Sequence, residues 1–468
     1  MSCFVAFQIS SSGSRLILSL DEKDYAKAMA ATKACAPYIA AVKVHPEMPL
    51  YWNKSHATAV ADIKSACASG GNKQAVPVIL DAKLADIDSS NQMKSSYYYD
   101  AGFDAIICHG FSGQDAVAAV VAEAKKRNRG VFLLVSMTSK GNLFGLREAV
   151  RLCKMARDAG VDGIVAPGND YERLSVARKI IGPDALIISP GIGKQGGDSA
   201  KAIASGCDFF IVGRSIIESA DPAKAAKELN DSVPKDALRS GPVAFSHSAM
   251  LSVLLRKQVL RFGDFTLKSG RKSAYFFNAG NLDDGEALQA IGDAFALCIY
   301  ENGLLDKFDV VFGPAYKGIP IATTVARSLS ELFGVNKRVL YDRKESKDYG
   351  DLKDKLLVGN LKSGDRLLFV DDVITTGGTK FESIEKLRKL GTDFSLAGLV
   401  VLFDRQETTL EGKNPLSELD AAGLKPYCVL RSRATFETLK SMKADGKDVL
   451  PEGIYGKFLE HQKLYGSK

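Results

Sequence analysis

The sequence predicts an α/β protein of two domains, a (β/α)8 barrel over residues 1–230 and a second α/β unit over residues 248–468, joined by a linker at 231–247. Three observations carry that expectation. Eight short apolar runs recur in the first half, each separated by a polar stretch long enough for a helix. The alternation then lapses into a polar segment bearing Pro234, Gly241 and Pro242. Periodicity resumes near Ala249–Leu255 and leads to a second set of elements with its own charge-bearing loop. Eight strands alternating with helices fit a barrel of roughly 250 residues. A doubly wound open sheet shows the same alternation, and strand count alone does not separate the two.

Taken in order, the apolar runs are Arg15–Leu20, Ile39–Val44, Val76–Leu80, Ala105–Cys108, Val131–Val135, Gly163–Ala166, Ala185–Ile188 and Phe209–Val212. Stretches such as Lys23–Ala36 and Leu143–Ala159 carry Ala, Leu, Lys and Glu at helical spacing. A barrel places its functional groups where strands end, on the C-terminal face. Asp21 ends the first run, Lys43 lies in the second, and Asp81-Ala82-Lys83-Leu84-Ala85-Asp86-Ile87 follows the third. His109 follows the fourth run and Thr138 the fifth. Residues i and i+2 of a strand share a face, so Asp81 and Lys83 are expected side by side. On spacing alone the same charges read equally well as a solvated loop of salt bridges. The seventh run leads into Ser189-Pro190-Gly191-Ile192-Gly193-Lys194-Gln195-Gly196-Gly197 and the eighth into Gly213-Arg214. Glycines there free backbone amides to cradle a phosphate, and Arg214 can close the clamp bidentately.

In the second half, Leu367–Val370 reads as a buried strand followed by Asp371-Asp372-Val373-Ile374-Thr375-Thr376-Gly377-Gly378-Thr379 and a helix over Lys380–Leu390. Paired acids followed by hydroxyls and glycines at a helix start suit a sugar phosphate: the acids meet ribose hydroxyls, the loop amides the phosphate. The Gly-Lys-Ser/Thr of a P-loop is absent from this loop, which disfavours triphosphate hydrolysis. The basic run Arg343–Lys347 reads, unaided, as a solvated loop, and residues beyond about 410 carry no motif, only expected closing helices or an interface.

A hydrophobic content of 46% with 25% charged residues is that of a globular protein, and no apolar run approaches the roughly 20 residues of a membrane span. The net charge of +7 comes from scattered Lys and Arg, which does not decide between small anions and nucleic acid. The eight cysteines form no Cys-x-x-Cys pair and several sit in apolar runs, as reduced, buried thiols do.

The block Asp81-x-Lys83-x-x-Asp86-Ile87 resembles the signature of orotidine 5′-monophosphate decarboxylases. Leu18–Asp21, Val42–Val44, Ile107–Phe111, Ile188–Gly193 and Ile211–Ser215 extend the likeness over residues 14–225. The resemblance implies a TIM barrel in which Lys83 delivers a proton to C6 of the pyrimidine as carbon dioxide leaves. Asp81 would lie against the substrate carboxylate, Lys43 would complete the charged array, and Asp86 would serve the neighbouring subunit of a homodimer or higher homo-oligomer. Asp21 would bind ribose, Gln195, Gly213 and Arg214 the phosphate, and Ile87, Ser90, Thr138 and Pro190 would complete the substrate pocket. Ser90 and Thr138 stand where the family usually has Thr and Ser. No cofactor is implied. Related hexulose-phosphate synthase barrels use Mg²⁺ and carry a Glu where this chain has Lys43.

The acid-glycine loop resembles the phosphoribosyl pyrophosphate signature of type I phosphoribosyltransferases. The blocks Phe265–Arg271, Tyr275–Gly280, Phe312–Pro320 and Arg343–Gly350 narrow the likeness to orotate phosphoribosyltransferases over residues 248–410. This implies a C-terminal type I phosphoribosyltransferase α/β domain using Mg²⁺. Lys317, Arg343, Lys344 and the catalytic Lys347 would grip the diphosphate, while Lys268, Phe276, Phe277 and Arg405 would surround orotate. Asp371 and Asp372 would hold the ribose, and Thr375, Thr376 and Gly377 the phosphate. Tyr349 stands where many relatives carry His.

Together the two resemblances imply uridine monophosphate synthesis from orotate, with small-molecule substrates, no nucleic acid and no membrane partner. The competing reading makes one half a binding module without catalysis, which the retention of Lys268, Arg343, Lys347 and Arg405 argues against. The expected compartment is the cytoplasm. A peroxisome-like organelle is the alternative, because Gly466-Ser467-Lys468 lacks the final Leu of a Ser-Lys-Leu address.

Overall fold

Eight parallel strands close into a barrel: β1 (Leu16–Ser19), β2 (Ala41–Val44), β3 (Val78–Leu84), β4 (Ala105–His109), β5 (Gly130–Leu134), β6 (Gly163–Val165), β7 (Leu186–Pro190) and β8 (Phe209–Val212). β8 pairs back onto β1, so the open-sheet alternative is excluded. This computed structural model describes residues 13–72, 75–139, 141–192, 197–234, 248–267, 269–344, 355–374, 378–444 and 447–467. The chain divides into two compact units, Met1–Phe245 and Ser246–Lys468.

Alternate strand residues fill the barrel: Ile17, Ala41, Ile79, Ala105, Ile107, Phe132, Leu134, Val165, Leu186, Ile188 and Phe209 form one buried cluster. Where strands begin, three carboxylates, two of them buried, tie one strand to another. Asp104 accepts from Val78 N at 2.8 Å, Asp162 from Val131 N at 2.8 Å and Asp208 from Ile187 N at 2.7 Å. Asp104 is also paired with Lys64 at 2.8 Å and with Arg129, and Asp208 with Arg178. These charges lie at the N-terminal face, where they serve stability. Outside the barrel, Asp24, Ser55, Asp170 and Asp221 cap helices Tyr25–Cys35, His56–Ser69, Tyr171–Ile181 and Pro222–Ser232 by accepting from backbone N–H groups of the first turn.

The second unit opens with helix Ser248–Arg256 and an antiparallel hairpin, β9 (Leu260–Thr266) with β10 (Lys272–Phe277). Its main sheet comprises β11 (Val310–Phe312), β12 (Arg338–Asp342), β13 (Leu357–Val358), β14 (Asp365–Val373), β15 (Phe394–Asp404) and β16 (Pro426–Arg431), in the order β13-β12-β11-β14-β15-β16. All pairs are parallel except β12 with β13. From β11 the chain moves outward to β12 on one side and then to β14 on the other, which places a ligand crevice at the strand ends between β11 and β14.

Two expectations are corrected here. Residues beyond 410 supply more than closing helices, since Pro426–Arg431 is the edge strand β16 of the main sheet. The loop reading of the charged segments gives way at their starts: β3 carries Asp81 and Lys83 side by side through Leu84, as the strand spacing implied, and β14 runs on through Val373, while Asp86 lies beyond the strand. Among the described residues no helix is long and apolar enough to cross a membrane, and none of the seven described cysteines is bridged.

Candidate active sites

The inward-facing, period-two series of the barrel strands turns from apolar to charged at the C-terminal ends. Ile17 is followed by Ser19 and Asp21, Ala41 by Lys43 and His45, Ile79 by Asp81 and Lys83, Ile107 by His109. Lys43 is 4% exposed and Asp81 9%. Lys43 Nζ donates to Asp81 Oδ2 at 2.9 Å and lies 4.0 Å from Asp21 Oδ1. Lys83 Nζ donates to the other oxygen, Asp81 Oδ1, at 2.7 Å. One buried carboxylate therefore bridges two ammoniums. Burial pushes the Asp81 carboxyl up, but the charges of Lys43 and then Lys83 outweigh it and hold its pKa below the ordinary value.

The backbone departs from a regular strand to achieve this. Four residue steps on β3, Leu80 to Leu84, span two on β4, Ile106 to Cys108, and Lys83 has φ +45°. That left-handed conformation costs about 1 kcal/mol for a residue with a side chain and is tolerated where surrounding packing fixes it, commonly at functional sites.

His45 belongs to the same array and was missed in the sequence. Its Nε2 lies 2.8 Å from Lys43 Nζ, and its Nδ1 lies 3.2 Å from the Asp81 carbonyl oxygen. An ammonium can only donate, so Nε2 faces Lys43 as the acceptor and Nδ1 faces the Asp81 carbonyl. The signal was available: His45 is two residues beyond Lys43 on an inward-facing series. Ser19 was missed for the same reason, and its hydroxyl donates to Asp21 Oδ2 at 2.8 Å. A Cβ at Gly213 would come within 3.1 Å of Ser19 Cβ and 3.2 Å of Ser19 O, so glycine lets the end of β8 pass close beside Asp21. His109 Nδ1 is buried with no hydrogen-bond partner, and burial, then the charge of Lys83, push its pKa down.

Other expected barrel residues are dispersed. Asp86 does not join the Lys43–Asp81–Lys83 cluster. It pairs with Lys94 at 2.7 Å on the half-exposed rim, where the Ser90 hydroxyl also reaches it. Ile87 is 64% exposed, Thr138 is exposed, and Pro190 is half-buried at the end of β7. Arg214 is exposed at the start of the short helix Arg214–Ile217. Gln195 lies outside the described residues.

In the second unit, the loop after β11 meets the acids of β14 across the switch point. Lys317 Nζ donates to Asp372 Oδ2 at 2.9 Å. Asp371 is buried and paired with Lys380, itself 4% exposed and also missed in the sequence. Burial pushes the Asp371 carboxyl up against the opposing Lys380 charge. Asp342, likewise missed, links three elements: it accepts from Ala315 N at 2.8 Å, Ser383 Oγ at 3.1 Å and Lys386 Nζ at 3.2 Å. Lys386 also holds the Arg343 carbonyl at 3.1 Å, so the start of the basic loop is tied to the Lys317 loop. Arg343 Nε is buried without a partner, and Lys344 Nζ lies 5.5 Å from the Tyr316 ring centroid.

The two expected aromatics do not line one pocket. Phe277 stacks on Phe403 with centroids 4.7 Å apart, on the side where Arg405 leaves β15. Phe276 packs against Phe265 at 5.6 Å, with Arg261 over its ring, because successive strand residues face opposite sides. Lys268, Lys347, Thr375, Thr376 and Gly377 lie outside the described residues, as does Tyr349.

Comparison with known proteins agrees with this two-site arrangement. Residues 14–229 match the model of the orotidine 5′-phosphate decarboxylase / HUMPS family, and residues 278–423 that of the phosphoribosyl transferase domain. An orotate phosphoribosyltransferase from Agathobacter rectalis is 39% identical over 223 residues, 47% of this chain and 98% of that protein. One from Vibrio vulnificus is 48% identical over 185 residues, 40% of this chain and 82% of that protein. The solved UMP synthase of Leishmania donovani aligns over 99% of this chain and 100% of that one, with TM-score 0.51 and 24% identity, a likeness of fold. The chain belongs to the orotate phosphoribosyltransferase family through its second unit and carries, in its first, a domain of the orotidine 5′-phosphate decarboxylase / HUMPS family.

Proposed function

We propose that this chain makes uridine monophosphate from orotate in two steps. In the second unit, N1 of orotate displaces diphosphate from C1 of phosphoribosyl pyrophosphate, giving orotidine 5′-monophosphate. In the barrel, the bond from C6 to the carboxylate breaks, carbon dioxide leaves, and the electron pair left on C6 takes a proton from Lys83. The observation that carries this reading is the buried Asp81 carboxylate held between the Lys43 and Lys83 ammoniums. A fixed ammonium beside a carbon that gains negative charge stabilises the transition state more than the ground state. The substrate carboxylate would lie against Asp81, and phosphate contacts at Gly213 and Arg214 would hold the ring in register.

Lys43 also favours decarboxylation over the metal-dependent aldol chemistry of related barrels. Its ammonium stands between Asp21 and Asp81, the acids a divalent cation would use. In the transferase, Lys317, Arg343 and Lys344 would meet the diphosphate, together with Lys347. Asp371 and Asp372 would meet the ribose hydroxyls. No cluster of three acidic, His or Cys side chains able to hold a metal occurs among the described residues. Asp371 and Asp372 would stand beside a Mg²⁺ carried largely by diphosphate oxygens. When bound, Mg²⁺ would neutralise the charge gathered on the leaving diphosphate.

Supplied with orotate, phosphoribosyl pyrophosphate and Mg²⁺, the full chain should release carbon dioxide and accumulate uridylate. A strong chelator should stop orotate consumption yet leave decarboxylation of supplied orotidylate at its original rate. Metal-dependent decarboxylation would instead return the barrel to the aldolase-type reading.

Asp86 would complete the site of a neighbouring copy. Two chains each inactive in decarboxylation, Lys83→Ala and Asp86→Asn, should then regain up to about a quarter of the activity when mixed and allowed to exchange subunits, since hybrid dimers contain one intact site. No regain in exchanged dimers would place Asp86 in its own chain's site or outside both.

A further inference from the structure

The last helix of the second unit, Ile454–Tyr465, reaches into the place where Arg405 leaves β15. Arg405 Nε donates to Glu407 Oε1 at 2.9 Å, and its guanidinium donates to Ser273 Oγ at 3.2 Å and lies 4.3 Å from the Tyr275 ring centroid. The same Glu407 oxygen lies 3.0 Å from His461 Nε2. His461 is 5% exposed, and its Nδ1 lies 2.7 Å from the Lys272 carbonyl oxygen. The ring therefore links the Lys272 carbonyl at one nitrogen to the Glu407 carboxylate at the other. Burial pushes the Glu407 carboxyl up, but the His461 and Arg405 hydrogen bonds and charges bring it below its ordinary value.

The main chain is clamped by the same helix. Gln462 Nε2 donates to the Arg405 carbonyl at 3.1 Å, Thr408 N to the Tyr465 carbonyl at 2.8 Å and Ser467 N to the Gln406 carbonyl at 2.9 Å. Gln406 sits at φ +53°, a conformation that needs such support. Arg271 adds a second guanidinium, 3.9 Å from Glu407 Oε2. Two guanidiniums, Arg405 and Arg271, thus face one carboxylate, an arrangement suited to an anionic ring substituent.

We propose that His461 is a positioning residue for recognition of the pyrimidine carboxylate: it holds Glu407, and Glu407 aims the Arg405 guanidinium. The proposal rests on Arg405 as the orotate contact. Without His461, Glu407 loses a buried hydrogen-bond partner and is left to Arg405 and Arg271, so substrate capture suffers while the diphosphate side is untouched. Nothing in the local sequence couples these residues, since 54 positions separate Glu407 from His461.

The test is steady-state transferase kinetics on the full chain, with orotate and phosphoribosyl pyrophosphate varied separately. His461→Ala should raise the KM for orotate about 10- to 100-fold, the range set by a buried hydrogen bond to a charged group. The KM for phosphoribosyl pyrophosphate should stay within about twofold, and decarboxylation of supplied orotidylate should be unchanged. His461→Gln, which keeps an N–H donor for Glu407, should recover part of the loss. Adding Glu407→Gln to His461→Ala should cost little more, because the two act in series. Should the alanine chain not fold, the same split is read on His461→Gln and Glu407→Gln. An unchanged orotate KM, or a parallel rise in both KM values with a lowered melting temperature, overturns the proposal. Arg405→Ala separates the two levels. If it leaves the orotate KM unchanged, the reading of the site fails; if it raises that KM while His461→Ala does not, the positioning role alone fails.

Discussion

Lys83→Ala should abolish carbon dioxide release while orotidylate accumulates from orotate at the original rate. The expected loss is at least about a thousand-fold, since in the proposed mechanism the side chain would be both the proton donor and a cation beside C6. The substitution acts on more than the proton. Asp81 would keep Lys43 at 2.9 Å but lose the partner of its other oxygen, leaving a buried carboxylate with less compensation beside the substrate carboxylate. Binding of orotidylate should therefore weaken as well. A methylated Lys83, which keeps its charge, would separate steric from electrostatic effects. Chromatography of the reaction with orotate and phosphoribosyl pyrophosphate gives the readout: orotidylate in place of uridylate. Loss of both products would contradict independent sites, because Lys83 belongs to the barrel unit and the transfer step to the other.

Much of the barrel site was legible because its organising rule is short-range. Strand side chains alternate faces, and a closed parallel barrel sends one series inward. Asp21, Lys43, Asp81 and Lys83 follow from extending that series past the apolar residues, and the extension also reaches His45 and Ser19. Spacing alone could not show that β3 continues through Leu84 with Lys83 at positive φ. A break in pairing is a property of two strands, and only the register with β4 reveals it. The same alternation separates Phe276 from Phe277, adjacent aromatics that the family resemblance placed together around orotate. Lys380 on Asp371, Asp342 under the Lys317 loop and His461 under Glu407 were not legible. The Asp342 and His461 contacts join segments far apart in sequence, and a buried ion pair, even the short-range one of Lys380 with Asp371, has no periodic signature. The edge strand β16 escaped because half-buried Pro426-Tyr427-Cys428 does not form an apolar run, and its strand character comes from pairing with β15.

Gly313→Ala should abolish the transfer step and leave the decarboxylase intact. Gly313 follows β11 where the chain turns toward helix Gly318–Phe333, and the two segments touch through backbone. A Cβ at Gly313 would come 2.1 Å from Gly318 O and 2.5 Å from Gly318 C. Neither atom can rotate aside, so the Lys317 loop must move as a body. Displacement of even about 1 Å breaks the 2.9 Å bond from Lys317 to Asp372 and strains that from Ala315 to Asp342, and misplacement on that scale costs about a hundred-fold in rate or more. Overpacking of this kind also lowers stability by about 1–3 kcal/mol, which a melting curve of the second unit would register. Decarboxylation of supplied orotidylate should persist. Mixed with Lys83→Ala chains, Gly313→Ala chains should restore uridylate from orotate after a lag, because one variant releases orotidylate and the other consumes it. A mixture that stayed inactive, with both single activities present, would mean that orotidylate does not pass freely between chains.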